Sequence, residues 1–232
     1  MIMPKNKIRN QATAKVPRRA PAQLATGPSA GTAAPVTQAE TAFVIFDLET
    51  TGLYSGSCEI IQIAATRFAN GRATGGEAFF SYCRPRHPIP RFITDYTGIT
   101  ERDVRTAPQP IEVLAQFSAY VGEAVIMAHN GHRFDIKFLE ATCLRHGVTT
   151  RKVESIDTIT LSKRLFGATR GTGHSLDAVL DRLGLRASQY QRHDARGDVQ
   201  ALADAVARMW RRLDLDPHCS GIPRRETALP VV

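Results

Sequence analysis

Four acids sit where the neighbouring residues are apolar. Asp47 and Glu49 close the most apolar run of the chain, in Phe43-Val44-Ile45-Phe46-Asp47-Leu48-Glu49-Thr50-Thr51-Gly52. Residues two apart in a strand share a face, so both carboxylates leave the sheet on one side. Like charges held that close raise each other's pKa, and a bound cation removes the conflict. The competing reading is a capping Asp beside a solvated Glu. Asp198 stands one residue before Val199 and four before Leu202, beside the apolar face of a helix. A carboxylate there is costly unless it is paired or bound to metal. It also falls in the first turns of that helix, where the dipole favours an acid. His193 lies five residues upstream, and alone it reads equally as a cap or a surface residue. Asp135 opens the Phe134–His146 helix, which follows His129-Asn130-Gly131-His132-Arg133 directly, again as a first-turn acid. Sites in open α/β sheets form beyond the carboxyl ends of the strands. Three separate segments therefore bring acids to one edge of the sheet.

The elements that must hold these residues are legible in the pattern. Phe43–Phe46 reads as a strand covered on both faces. Glu59–Ala69 is a second strand, and Asn70-Gly71 is a hairpin signal, since both central positions of a type I′ turn need positive φ. A third strand is expected around Ala78–Cys83. Helices then alternate with strands. The pattern predicts a helix over Ile111–Tyr120 with Pro110 at its start, a strand over Ala124–Ala128, and a helix over Phe134–His146 closed by Gly147. Next come a strand over Val153–Ile156, a helix to Leu165 with Asp157 at its N-cap, and a helix over Ser175–Leu183 stopped by Gly184. The last helix runs from about Ala195 to Leu213, with Val199, Leu202, Val206, Met209, Trp210 and Leu213 at helical spacing. The order βββαβαβα implies a mixed α/β layer fold.

Composition bounds the rest. The 232 residues have a hydrophobic fraction of 43%, enough for a real core in one or two domains. No apolar run approaches the ~20 residues that span a bilayer, which predicts a soluble protein with no membrane partner. Cys58, Cys83, Cys143 and Cys219 are far apart and show no C-x-x-C pairing, against a disulfide framework or a structural zinc site and in favour of a reducing compartment. The formal net charge is +8. Residues 1–40 carry six basic residues and one acid, so five of those charges lie there. This segment is rich in Ala, Pro, Thr and Gln, reads as disordered, and is either a nucleic-acid arm, an organellar transit segment or a plain linker. The expected organisation is a tail over 1–40, one domain over 41–214 and a short C-terminal tail over 215–232.

Three motifs resemble those of the DnaQ-like, DEDDh 3′→5′ exonucleases. Phe43 to Leu53 resembles the first, Ala128 to Asp135 the second, and His193-Asp194-Ala195-Arg196-Gly197-Asp198 the third, of HxxxxD form. Thr97-Gly98-Ile99-Thr100 and Ile156-Asp157-Thr158 resemble secondary landmarks of the same family. The resemblance covers roughly residues 41–213, and three motifs in order are far more specific than any one. It implies an RNase H-like fold, a mixed five-stranded sheet flanked by helices, and two divalent cations, Mg²⁺ or Mn²⁺. Asp47, Glu49 and Asp198 would be direct metal ligands, with Asp47 bridging, and Asp135 would complete the set partly through water. His193 would be the general base. Thr50, Thr51, Gly52 and Leu53 would hold and wedge the 3′-terminal nucleotide, with His129, Asn130 and Phe134 beside it. The second motif departs from the common spacing. Three residues, Gly131, His132 and Arg133, separate Asn130 from Phe134-Asp135, as in TREX-type exonucleases, but no TREX-like proline-rich loop is present.

The implied reaction is metal-dependent phosphodiester hydrolysis from a 3′ end, releasing nucleoside 5′-monophosphates. Hard oxygen ligands suit Mg²⁺ or Mn²⁺, and a histidine near neutrality can take a proton from water. Arg133, Lys137, Arg192 and Arg196 flank the motifs and are candidates for phosphate contacts. The partner is a nucleic acid with a free 3′ end. Single-stranded DNA is the first expectation and RNA the second, with a homodimer also open. No aromatic-rich stacking platform is visible, so the strand is expected to be held mainly at its end. The rival readings are a proofreading subunit bound to a DNA polymerase and an inactive nucleic-acid-binding module of the same fold. The expected location is intracellular, cytoplasmic or nuclear/nucleoid, with organellar import if the basic segment is an address.

Overall fold

The computed structural model describes residues 42–168 and 173–232. The expected basic tail over 1–40 lies outside the described residues. Seven strands form one mixed sheet: β1 (Phe43–Thr50), β2 (Ile60–Ala69), β3 (Arg72–Ala73), β4 (Phe79–Tyr82), β5 (Val125–Ala128), β6 (Thr150–Asp157) and β7 (Arg225–Pro230). The order is β3-β2-β1-β5-β6-β7, and β4 also pairs with β2. β1 runs antiparallel to β2 and parallel to β5, β5 parallel to β6, and β6 antiparallel to β7. The helices are α1 (Arg91–Thr97), α2 (Glu101–Val104), α3 (Pro110–Val121), α4 (Asp135–His146), α5 (Ile159–Phe166), α6 (Leu176–Leu183) and α7 (Ala195–Leu213).

The mixed sheet flanked by helices is the expected architecture, with seven strands in place of five. The hairpin forms as its sequence demands: Asn70 and Gly71 have φ of 51° and 73°. It joins β2 to the two-residue β3, too short to leave a pattern. Within residues 215–232, expected as a tail, Arg225–Pro230 return to the sheet as β7. That strand sits at the edge, where a terminal proline does no harm, and its charged first half hides the alternation that buries Thr227 and Leu229. α1 and α2 were not foreseen either. They are seven and four residues long, bury only Ile93 and Val104, and close a small cluster with Ile61, Ile89 and Ile99.

Strand alternation divides the core. Phe43 and Ile45 of β1 point to the face covered by α5, α6 and α7, where they meet Met127, Val206, Met209 and Trp210. Val44, Phe46 and Leu48 point to the face covered by α3 and α4, against Phe117, Phe138 and Leu139. Asp47 and Glu49 continue the odd-numbered series. They therefore leave β1 toward α7, the helix whose first turn carries Asp198.

Candidate active site

The third motif is shaped by its backbone. Asp194 caps α7 through a carboxylate that accepts from the Arg196 N–H at 3.0 Å. Burial works against that charge, but the hydrogen bonds from Arg196 hold the Asp194 carboxyl below the usual range. One turn on, the Asp198 carboxylate reaches back and accepts from the His193 N–H at 3.1 Å. The five-residue spacing is what lets one helix start present both side chains. His193 has φ of 64°, a left-handed conformation that costs a non-glycine residue about 1–2 kcal/mol. Gly197 has no alternative: a Cβ there would lie 2.0 Å from the Gln191 carbonyl oxygen. Gln62, opposite Glu49 on β2, is fully buried and accepts from the Ala195 N–H at 2.8 Å, tying the start of α7 to the sheet beside the acids.

The second motif is held by Asp157 at the end of β6. Its Oδ1 accepts from the Asn130 and Ile159 N–H groups, both at 3.0 Å, and Oδ2 from the His132 N–H at 3.4 Å. Asp157 thus steadies the start of α5, although the helix N-cap falls one residue later, at Thr158. Its larger task is the loop that ends in Asp135. Asn130 is left-handed, with φ of 61°. His129 is engaged at both ring nitrogens: Nε2–H donates to the His174 carbonyl at 2.7 Å, so Nδ1 accepts from the Thr158 hydroxyl at 2.8 Å. Burial pushes its pKa down, and it braces the loop as a neutral ring.

These segments meet in a cleft of about 580 Å³ lined by Asp47, Glu49, Asp135, His193 and Asp198, with Thr50, Gly52, Leu53, His129, Asn130 and Phe134 around them. Thr51 is not among the lining residues. Its hydroxyl accepts from the Glu59 N–H at 2.9 Å and closes the loop that carries Leu53. Thr50 donates to the Gly52 carbonyl at 2.6 Å and tightens the same turn. Of the four flanking cations, Arg192 alone lines the cleft, and it is paired with Asp177 and Asp198. Arg196 lies over the Phe80 ring at 4.4 Å and pairs with Asp194, while Arg133 and Lys137 are exposed.

Several residues of the cleft were missed from sequence, among them Asp177 and two exposed aromatics. Phe92 and Tyr96 sit one turn apart on α1 and line the wall beside Leu53. All three are large apolar side chains left in solvent, at 65%, 61% and 76% exposure. The expected lack of an aromatic surface is corrected by this pair. Its i, i+4 spacing is the available signal, masked by a helix too short to read. The Tyr96 ring also packs against the His193 ring, with centroids 4.1 Å apart.

Ligand oxygens of Asp47, Glu49 and Asp198 lie within 4.8 Å of one another. The chemistry of that donor set fits a hard divalent cation, because all the donors are carboxylate oxygens. The electrostatics agree. Burial, then Asp135 and Glu49, pushes Asp47 well above the carboxylate range. Burial, then Asp135 and Asp194, raises Glu49 to about 7, and burial raises Asp135 to about 7. A carboxyl whose folded pKa lies above its unfolded value stabilises the fold while protonated and loses that contribution as pH rises through the folded value. Without a cation, the acid set therefore becomes a growing liability between pH 4.5, the ordinary Glu value, and about 7. The gain in Tm on adding 1–10 mM (order of magnitude) MnCl₂ over EDTA is accordingly expected to grow across that window, since the cation binds the ionised form. Melting curves taken every half pH unit check this; a gain that shrinks with rising pH would contradict it.

An acid-lined cleft lies at the carboxyl ends of β1 and β5 in a mixed sheet, with a carboxylate set able to hold a divalent cation. Residues 44–206 match the RNase T family, described as exonuclease. The chain belongs to this exonuclease family. A DNA polymerase III subunit epsilon-like protein of Rhodobacter capsulatus is 45% identical over 168 residues, 72% of this chain and 23% of that one. The chain thus spans about a quarter of that relative. Among solved structures, the nuclease domain of 3′hExo, a DEDDh family member bound to rAMP, has a TM-score of 0.66 at 19% identity, covering 82% of this chain and 98% of that one. The zinc-bound E. coli ExoI–ssDNA complex has a TM-score of 0.64 at 20% identity, covering 75% and 42%. At these identities the likeness is one of fold, and the fold expected from the motifs is the one found.

Proposed function

We propose that this chain is a 3′→5′ exonuclease that hydrolyses single-stranded or frayed DNA ends with Mg²⁺ or Mn²⁺. The observation that carries the reading is the convergence of Asp47, Glu49, Asp135, Asp198 and His193 in one cleft. Asp47, Glu49 and Asp198 would hold the cations, with Asp135 completing the set. When bound, the cations supply Lewis-acid polarisation of the phosphate and lower the pKa of the attacking water. His193 accepts the water's proton on an imidazole nitrogen. Burial and the charge of Arg192 hold its pKa below the ordinary histidine value, so it is neutral and able to accept at pH 7. The exposed rings of Phe92 and Tyr96 offer stacking surface to unpaired bases, about 1–3 kcal/mol per stacked base, and Leu53 adds exposed apolar surface to the same cleft. Thr50 and Gly52 shape the turn that presents Leu53, and Asn130 and Phe134 also line the cleft. RNA remains the second substrate to test.

A single strand labelled at its 5′ end should give a ladder of shortening products and release nucleoside 5′-monophosphates. Rapid cutting of closed circular single strands would instead make the protein an endonuclease.

A second reading follows from the epsilon-like relative: the chain serves as the proofreading module of a DNA polymerase. Co-purification with a polymerase distinguishes it from a stand-alone enzyme. The intact acid set argues against an inactive binding module. No helix among the described residues is long and apolar enough to cross a membrane. The proposed location is intracellular; imaging of the tagged protein checks this and import, and mass in solution checks for a homodimer.

A further inference from the structure

Among the described residues, Arg192 is the one arginine or lysine lining the acid cleft. Its guanidinium spans two acids. Nε donates to Asp177 Oδ1 at 2.9 Å, and the other end is ion-paired with Asp198 Oδ1. The two anchors differ. The Asp177 side chain on α6 is 60% exposed, whereas the Arg192 and Asp198 side chains are 17% and 10% exposed. A guanidinium stays charged at every working pH, so it neutralises part of the acid set permanently. Its charge is felt at Asp47 and Glu49 as well as at Asp198. An oxygen of Asp198 held by a guanidinium is not free to hold a divalent cation.

We propose that Arg192 is a built-in counter-ion of the acid set, which competes with the divalent cation for Asp198 and retreats onto Asp177 when the cation binds. The inference rests on reading the acid set as a cation site. It assigns opposite effects to the two partners of one ion pair. Removing the guanidinium removes the competitor and so tightens cation binding. Neutralising Asp177 removes the place of retreat and so weakens it. Loss of either charge would by itself shift Mn²⁺ affinity in these two directions, so the double variant Arg192→Gln/Asp177→Asn decides. If Asp177 acts through the guanidinium, its neutralisation should have little effect once Arg192 is gone, and a full Asp177→Asn weakening persisting there overturns the proposal.

The experiment is calorimetric titration of the full chain with MnCl₂, with thermal unfolding in EDTA alongside. Arg192→Gln is expected to bind Mn²⁺ about tenfold more tightly than wild type, a modest fraction of what one unit charge at contact distance is worth at an effective dielectric of ~20. In EDTA it should melt at a lower temperature, because the acids have lost their counter-ion. Asp177→Asn should bind Mn²⁺ more weakly than wild type. Equal or weaker binding by Arg192→Gln, or both variants shifting the same way, overturns the proposal. Where Arg192→Gln does not fold, Asp177→Asn still tests the proposal, and unchanged or tighter binding there overturns it. A wild type that takes up no Mn²⁺ refutes the cation site itself, whereas equal uptake by wild type and Arg192→Gln removes only the counter-ion role.

Discussion

Asp47→Asn is expected to lower the hydrolysis rate by about 10³-fold or more while raising the melting temperature of the metal-free protein. The first effect follows from the position of Asp47 in the proposed ligand set, where its oxygen has no substitute. Groups that stabilise developing charge in a closed site are worth about 10²–10³-fold each, and a shared ligand acts on more than one such interaction. The second effect follows from burial. Asp47 has a carboxyl pushed well above the usual range by desolvation and by Asp135 and Glu49. Above the ordinary carboxylate range, folding must either carry that charge into the acid set or take up a proton there, a cost that a neutral amide of the same shape does not bear. The sign reverses the usual expectation for a lost carboxylate, and the gain should vanish below about pH 4, where Asp is protonated in both states. Each kcal/mol relieved should raise Tm by about 2–4 °C at this chain length. Melting in EDTA and turnover on a 5′-labelled strand, measured on one preparation, test both arms. A variant that is inactive because it unfolds would show a fall in Tm. Wild-type activity undiminished by EDTA would remove the metal from the reaction altogether.

The pairing of stability gain with activity loss marks residues placed for chemistry against the interest of the fold. The same conflict made part of the site legible in the chain. Asp47 and Glu49 interrupt an apolar strand at period two, and strand alternation alone sends them toward α7. Asp198 interrupts the apolar stripe of α7, and the stripe itself runs over Ala195–Leu213 as its spacing demands. What could not be read were contacts between residues far apart in sequence. Asp157 shapes the Asn130 loop across 27 positions, and Gln62 holds the Ala195 amide across 133. His129 lies inside a motif and so resembled a substrate contact, yet Thr158 and His174 engage both of its nitrogens. Short elements were the other loss. Helix α1 has too few residues for a period to show, so Phe92 and Tyr96 left no trace of the wall they build. The edge strand β7 begins with charges and ends in proline, and its pairing partner lies some seventy residues earlier.

The role of His193 can be separated from its place in the backbone. His193→Asn suits the separation, because asparagine accepts a left-handed φ more readily than most residues and the hydrogen bond to Asp198 is donated by the backbone N–H, not the side chain. Asparagine cannot take a proton at neutral pH. The turnover rate should therefore fall by about 10²-fold or more, the usual scale for a positioned general base. Affinity for Mn²⁺ should hardly change, since the carboxylates remain. The pH profile is the sharper readout. In the wild type at saturating Mn²⁺, turnover should drop as pH falls through the histidine's pKa, which burial and Arg192 place below the ordinary value. Protonated imidazole cannot accept from water, so that acidic limb belongs to His193 and should disappear in the variant. Saturating metal matters here because Glu49 and Asp135, raised to about 7 without it, would otherwise add a limb of their own. An unchanged rate with the limb intact would leave His193 as packing for Tyr96, whose ring lies against it. A reduced rate with the limb intact would point to that packing as the function, and Tyr96→Phe, which keeps the ring, should then behave as wild type.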